Sequence, residues 1–278
     1  MNKKISIFLV HFIVLSFKLD AATVDTVSVY SESMHKSIKD VVIRPAGYNS
    51  SQKYPVLYLL HGYSGNYSDW IKKDSELPRL ADEYGMLIVC PDGDFASWYF
   101  DSPEEKGSRY ETYIAKELVT YIDKHYPTVN NRAGRAITGL SMGGHGALYL
   151  AFRHQDVFGA AGSMSGGVDL RPFPDSFGLD KVLGEYSRYP ERWEQNSIVN
   201  MLHMIKSNSL ALTFDCGADD FFCLYNNQLH EKLLERKIPH DYTSRPGGHS
   251  WEYWCNSIKY QAMFFSTFFN STNKMKAG

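Results

Sequence analysis

The sequence is short of several things, and each shortage closes off a class of protein. Cysteine is scarce: there are four in 278 residues, Cys90, Cys216, Cys223 and Cys255. None falls in C-x-x-C spacing, which gives zinc-ribbon and thioredoxin-like chemistry no footing. An excess of one charge is also missing. Twenty-nine Lys and Arg stand against 31 Asp and Glu, for a net charge of −2. Without a basic excess or cluster, a nucleic-acid-binding surface is not indicated. No fixed-period repeat and no low-complexity tract is present, so solenoids and disordered tails are set aside. What remains is 44% hydrophobic and 14% aromatic, a globular mixture long enough to bury a substantial core.

The amino terminus differs from the rest. Lys3 and Lys4 precede an apolar run from Ile5 to Phe17, and Ala21 and Ala22 follow. A short basic stretch, an apolar core and small residues at the cut describe a secretory signal. The run is too short to span a bilayer, for which about 20 apolar residues are needed. Residues 1–21 are therefore expected to be a signal peptide with cleavage after Ala21 or Ala22. Residues 22–278 are expected to form one exported catalytic domain, periplasmic or extracellular, without stable membrane association.

Strand and helix patterns alternate through this region. Val24 to Tyr30 and Lys36 to Ile43 read as consecutive antiparallel strands. Tyr54 to Leu60 and Met86 to Cys90 are continuous apolar runs, as in strands covered on both faces. Arg135 to Gly139, Phe158 to Met164, Leu210 to Cys216 and His240 to Ser244 supply further strands. Leu77 to Tyr84, Tyr110 to Tyr126, the segment after Gly139 through Arg153, Asn226 to Arg236 and Trp251 to Phe269 read as helices. The alternation predicts an α/β fold: a mostly parallel central sheet with helices on both faces. Gly166 to Asn208 interrupts the rhythm and reads as an insertion over the sheet.

The chemistry centres on Gly139-Leu140-Ser141-Met142-Gly143. Gly-x-Ser-x-Gly between a strand and a helix makes a tight turn that projects a serine hydroxyl above the sheet. Ser141 is the predicted nucleophile, and it needs a base to take its proton and a carboxylate to orient that base. Among ten histidines, His249 stands in a Gly-rich loop, Arg245-Pro246-Gly247-Gly248-His249, between the last strand and the last helix. The acid belongs in the preceding loop, where Asp219 and Asp220 compete, Asp215 is a weaker third, and the turn at Gly217 favours Asp220. Backbone donors for an oxyanion are expected at Met142 and at Tyr63, with Gly62 as its neighbour. Trp98, Tyr99 and Phe100, with Trp193 and Trp251, offer an aromatic substrate platform. Arg171, Pro172 and Phe173 are candidates for a cap on the acyl site. Cys90 and Cys216 end apolar runs and read as buried. Cys223 and Cys255 follow the two triad loops closely enough that export leaves two readings open, a disulfide between them or two packed free thiols.

Five segments together carry a resemblance: Leu59-Leu60-His61-Gly62, Ser97-Trp98-Tyr99, Gly139 to Gly146, Phe158 to Gly167 and Cys216 to Phe221. They are similar to the esterase D, feruloyl esterase and tributyrin esterase family of α/β-hydrolases. Carried over by position, the resemblance implies Ser141 as nucleophile, His249 as base and Asp220 as acid, with no metal and no organic cofactor. It also implies an ester substrate, small or linked to polysaccharide. Export favours feruloyl or acetyl esters of plant polysaccharide. Acyl transfer to a sugar hydroxyl and an S-formylglutathione hydrolase-like thioesterase are the alternatives.

Overall fold

The computed structural model describes residues 21–277, so the expected signal peptide lies almost wholly outside the described residues. The strands are β1 (Thr23–Ser31), β2 (Lys36–Arg44), β3 (Val56–Leu60), β4 (Leu87–Pro91), β5 (Arg135–Gly139), β6 (Ala160–Met164), β7 (Ala211–Gly217) and β8 (Asp241–Arg245). They form one sheet in the order β1-β2-β4-β3-β5-β6-β7-β8. The β1–β2 and β2–β4 pairs are antiparallel, and every later pair is parallel. Parallel strands end at the same edge, so β3, β5, β7 and β8 all deliver their following loops to one rim.

The helices are α1 (Asp69–Lys73), α2 (Leu77–Tyr84), α3 (Tyr110–Thr112), α4 (Val119–His125), α5 (Met142–Arg153), α6 (Leu179–Leu183), α7 (Pro190–Asn196), α8 (Cys223–Glu235) and α9 (Trp251–Ala277). Helices α3 and α4 are joined without a break by a π-helical turn, Tyr113–Leu118, making one long helix that ends before Pro127. Helix α2 starts with a proline in its first turn and stops at Gly85, whose left-handed φ of 59° suits glycine.

Alternation along the central strands splits the core in two. Val56, Tyr58 and Leu60 of β3 face one cluster, with Ile114, Leu118, Leu150 and Phe152. Leu57 and Leu59 face the other, with Leu80, Ile258 and Phe265. Both faces are thus covered, which is why β3 and β4 read as continuous apolar runs. The segment 166–208 folds as α6, α7 and two 3₁₀ turns against the first face. Trp193 lies buried in it, its indole N–H bonded to the Gly184 carbonyl at 3.0 Å. It is a core residue and presents no platform to substrate.

The four cysteines are all free, so of the two readings left open for Cys223 and Cys255 the structure has the free thiols and not the disulfide. Helices α8 and α9 leave the rim toward opposite faces of the sheet. Cys223 accordingly sits by Asn227 on α8, whereas Cys255 sits by the Lys73 carbonyl at the end of α1.

Candidate active site

Strand β5 ends at Gly139 and α5 begins at Met142, leaving two residues to reverse the chain. Ser141 makes the turn at φ 54° and ψ −116°, a region unfavourable for a residue with a Cβ. The surroundings enforce it. A Cβ on Gly143 would lie 2.5 Å from the His61 carbonyl oxygen, and one on Gly139 2.7 Å from backbone atoms of Gly143. The strand-to-helix crossing is tight enough that only glycine fits at either position. The Ser141 N–H is held by the Met164 carbonyl at 2.9 Å.

The structure brings Ser141, His249 and Asp220 into one line. The Ser141 hydroxyl lies 2.9 Å from Nε2 of His249, and Nδ1 of His249 lies 2.8 Å from Oδ2 of Asp220. A carboxylate only accepts, so Nδ1 carries the imidazole proton and Nε2 faces the hydroxyl bare. The second oxygen of Asp220 accepts the Phe222 N–H at 2.8 Å, which fixes the carboxylate plane. Asp220 is buried, while Asp219 is exposed and uses only its backbone N–H, toward the Gly247 carbonyl. Asp215 is buried in a different setting, bonded to Ser257 and Gln261 of α9. Burial there pushes its carboxyl above the usual range, and it has no contact with His249.

The loop after β3 is held by a residue the sequence reading passed over. His61 is buried, and the Gly93 N–H donates to its Nε2 at 2.8 Å. Its Nδ1 therefore carries the proton and donates to the Gly62 carbonyl, also at 2.8 Å. That carbonyl takes a second bond from the Gly65 N–H at 3.1 Å. Burial lowers the His61 pKa, which keeps this neutral tautomer in place. The peptide joining Gly62 to Tyr63 is trans, so pinning its C=O aims the Tyr63 N–H the opposite way. Neither the Tyr63 nor the Met142 N–H has a hydrogen-bond partner among the described residues. A signal was available in the sequence: a histidine at a strand end beside glycine, in the loop that must supply an amide donor.

These groups open onto a cavity of about 600 Å³ lined by Gly62, Tyr63, Leu140, Ser141, His249, Phe177, Phe221, Trp251 and Trp254, with Ser64, Gly65, Asp69 and Ser250. Of the five aromatics offered from sequence as a substrate platform, Trp251 alone lies on this wall, together with Tyr63, named for its backbone N–H. Trp98 and Tyr99 do not, and their substrate-binding assignment is corrected. Tyr99 is fully buried, with Gly93 and Gly146 so close to its ring that a Cβ on either would come within 2.3 Å. Its hydroxyl is spent on the His61 carbonyl at 3.0 Å. Trp98 is equally buried, donating its indole N–H to the Phe177 carbonyl at 3.1 Å. Phe100 packs on His145 and Tyr149. Arg171 is neutralised by Asp169 and Glu194, and Phe173 packs on Phe222 and Tyr225. Neither touches the cavity; Phe177 is what the insertion contributes. Phe221 lies tilted against the His249 ring at 4.4 Å, and Trp254 meets that ring edge-on at 4.9 Å. Among the described residues, no three His, Cys, Asp or Glu side chains gather so as to hold a metal ion.

Comparison with known proteins identifies the family. The family model described as "Putative esterase" matches residues 31–264. The chain is 29% identical over 216 residues to an acetyl esterase of Caldicellulosiruptor saccharolyticus, covering 73% of this chain and 80% of that one. It is 28% identical over 282 residues to the diacylglycerol acyltransferase/mycolyltransferase Ag85A of Mycobacterium leprae, covering 86% and 81%. Among solved structures, a ferulic acid esterase superposes with a TM-score of 0.79 at 29% identity, over 90% of this chain and 99% of that one. The chain belongs to the putative-esterase family of α/β-hydrolases and is a carboxylic ester hydrolase.

Proposed function

We propose that this protein is an exported serine esterase that releases feruloyl or acetyl groups from plant polysaccharide through an acyl-enzyme on Ser141. The observation that carries the reading is the unbroken hydrogen-bond line from Ser141 through His249 to Asp220 at the wall of an aromatic cavity. In this mechanism Nε2 of His249 takes the Ser141 proton as Oγ attacks the ester carbonyl. Negative charge then develops on the carbonyl oxygen, where the Met142 and Tyr63 N–H groups are free to receive it. The imidazolium, steadied by buried Asp220, returns the proton to the departing alcohol oxygen. Water repeats the cycle on the acyl-enzyme and frees the acid.

Substrate class follows from the walls and the relatives. A cavity of about 600 Å³ exceeds what an acetyl group fills. Tyr63, Phe177, Phe221, Trp251 and Trp254 suit a planar aryl group or a sugar face. Relatives described as an acetyl esterase and a ferulic acid esterase support the same classes. Export rests on the amino-terminal basic-apolar-small pattern. Among the described residues no helix is long and apolar enough to cross a membrane.

Side-by-side assays with methyl ferulate, acetylated xylan and tributyrin test the substrate class. Ser141→Ala should abolish turnover of p-nitrophenyl acetate and leave the circular dichroism spectrum unchanged. Retained turnover overturns the mechanism. A second reading, transfer of the acyl group to a sugar hydroxyl, draws on the likeness to the acyltransferase Ag85A. A new sugar ester formed when an acceptor is added would favour it.

A further inference from the structure

We infer that Asp69 makes this ester site select by charge, admitting neutral or cationic substrates and rejecting those that carry a carboxylate. The inference rests on the esterase reading of the same cavity. Asp69 lines the cavity that holds Ser141 and His249, and among the described residues no Lys or Arg lines it. The carboxylate is fixed from one side: Oδ2 accepts the Asn66 N–H at 3.1 Å and Oδ1 accepts from Asn66 Nδ2 at 3.1 Å. Each oxygen keeps a lone pair to offer. Among the described residues no Lys, Arg or His nitrogen comes within 4.0 Å of it, so its charge is not cancelled locally. The aromatic walls are weakly polarisable compared with water, and a charge inside such a cleft is felt more strongly than one on an open surface. An anionic group entering beside Asp69 meets uncompensated repulsion. Sugar or phenol hydroxyls instead find an acceptor, and an ammonium group finds both a counter-charge and aromatic faces.

Matched esters test this on both sides of the scissile bond. On the acyl side, p-nitrophenyl hydrogen adipate is compared with p-nitrophenyl hexanoate. On the alcohol side, 4-acetoxybenzoate is compared with phenyl acetate. The wild type should disfavour each anionic member in kcat/KM by about tenfold or more at low salt, with the gap narrowing as salt is added. Asp69→Asn keeps the shape and should shrink that ratio about tenfold on the side where the charge approaches. Asp69→Glu retains the charge and should keep the wild-type ratio, which separates electrostatics from a disturbed loop. A ratio that Asp69→Asn leaves unmoved, with the neutral esters still turned over, overturns the role of Asp69 alone. Absence of turnover of all four esters by the wild type overturns the esterase reading and this inference with it.

Discussion

Gly217 packs directly on Gly247: a Cβ on the former would lie 2.2 Å from the carbonyl oxygen of the latter. This approach seats the β7 loop on the β8 loop. It is reinforced by the Ala218 N–H on the Arg245 carbonyl at 2.8 Å and the Asp219 N–H on the Gly247 carbonyl at 2.9 Å. Asp220, next along, is thereby turned inward to His249, and Asp219 outward to water. Asp220→Asn should lower kcat by about three to four orders of magnitude, because an amide opposite Nδ1 no longer holds the reactive tautomer. Asp219→Asn should stay within about twofold of wild type, as expected for an exposed side chain without hydrogen-bond partners among the described residues. Steady-state kinetics on p-nitrophenyl acetate distinguish the two, and equal losses would remove the assignment of the acid.

His61 does not line the cavity, yet it sets the direction of the Tyr63 N–H through the Gly62 carbonyl. His61→Phe frees that peptide to rotate and leaves the Gly93 N–H buried without its acceptor. The expected result is a fall in kcat of about 10- to 100-fold, the scale of losing one oxyanion donor, with KM little changed. A change confined to KM would argue that the loop binds substrate and does not polarise it.

His145 gives stability a pH dependence. It is buried one turn into α5, its Nε2 bonded to the Asn196 carbonyl at 2.8 Å and its Nδ1 without a partner among the described residues. Burial lowers its pKa to about 4. Between the unfolded value near 6.5 and about 4, the unfolded chain binds a proton that the folded chain refuses, so stability falls as pH drops through that window. The loss amounts to about 3 kcal/mol. Urea unfolding at pH 7, 6, 5 and 4 should show a shallower decline for His145→Met than for the wild type. Parallel declines would contradict it.

Trp98 and Trp251 should respond differently to truncation. Trp98→Phe removes the bond to the Phe177 carbonyl and opens a small cavity, so stability should fall by about 1–3 kcal/mol. Trp251→Ala strips one wall of the cavity and should raise KM for methyl ferulate by about fivefold or more. Thermal melts and KM measured on both variants check this. A large KM effect from Trp98→Phe with an unchanged melt would return that residue to the binding surface.

The amino-acid sequence alone determined the order of the eight strands and of the longer helices, because that information is local; the short helices α1, α6 and α7 were not marked in it. Apolar runs, helical spacing, Pro127 and Gly85 punctuate the chain wherever it folds. The turn at Ser141 was legible for the same reason: the glycines its geometry requires lie within two residues of it. His249 and Asp220 could be picked out by the loops they occupy, since in a parallel sheet the strand ends share a rim. Tertiary structure alone decided which aromatics meet the substrate. Trp98 and Trp251 are alike as residues, but one fills space between α5 and the insertion while the other borders a void. Burial is a property of what arrives from elsewhere in the chain, so Phe177, Phe221 and Trp254 carried no local mark of their place on the wall. The same holds for the cysteines, which the chain sends to opposite faces of the sheet, and for His61. Its role exists only because Gly93, 32 residues away, returns an N–H to its ring and so selects the tautomer.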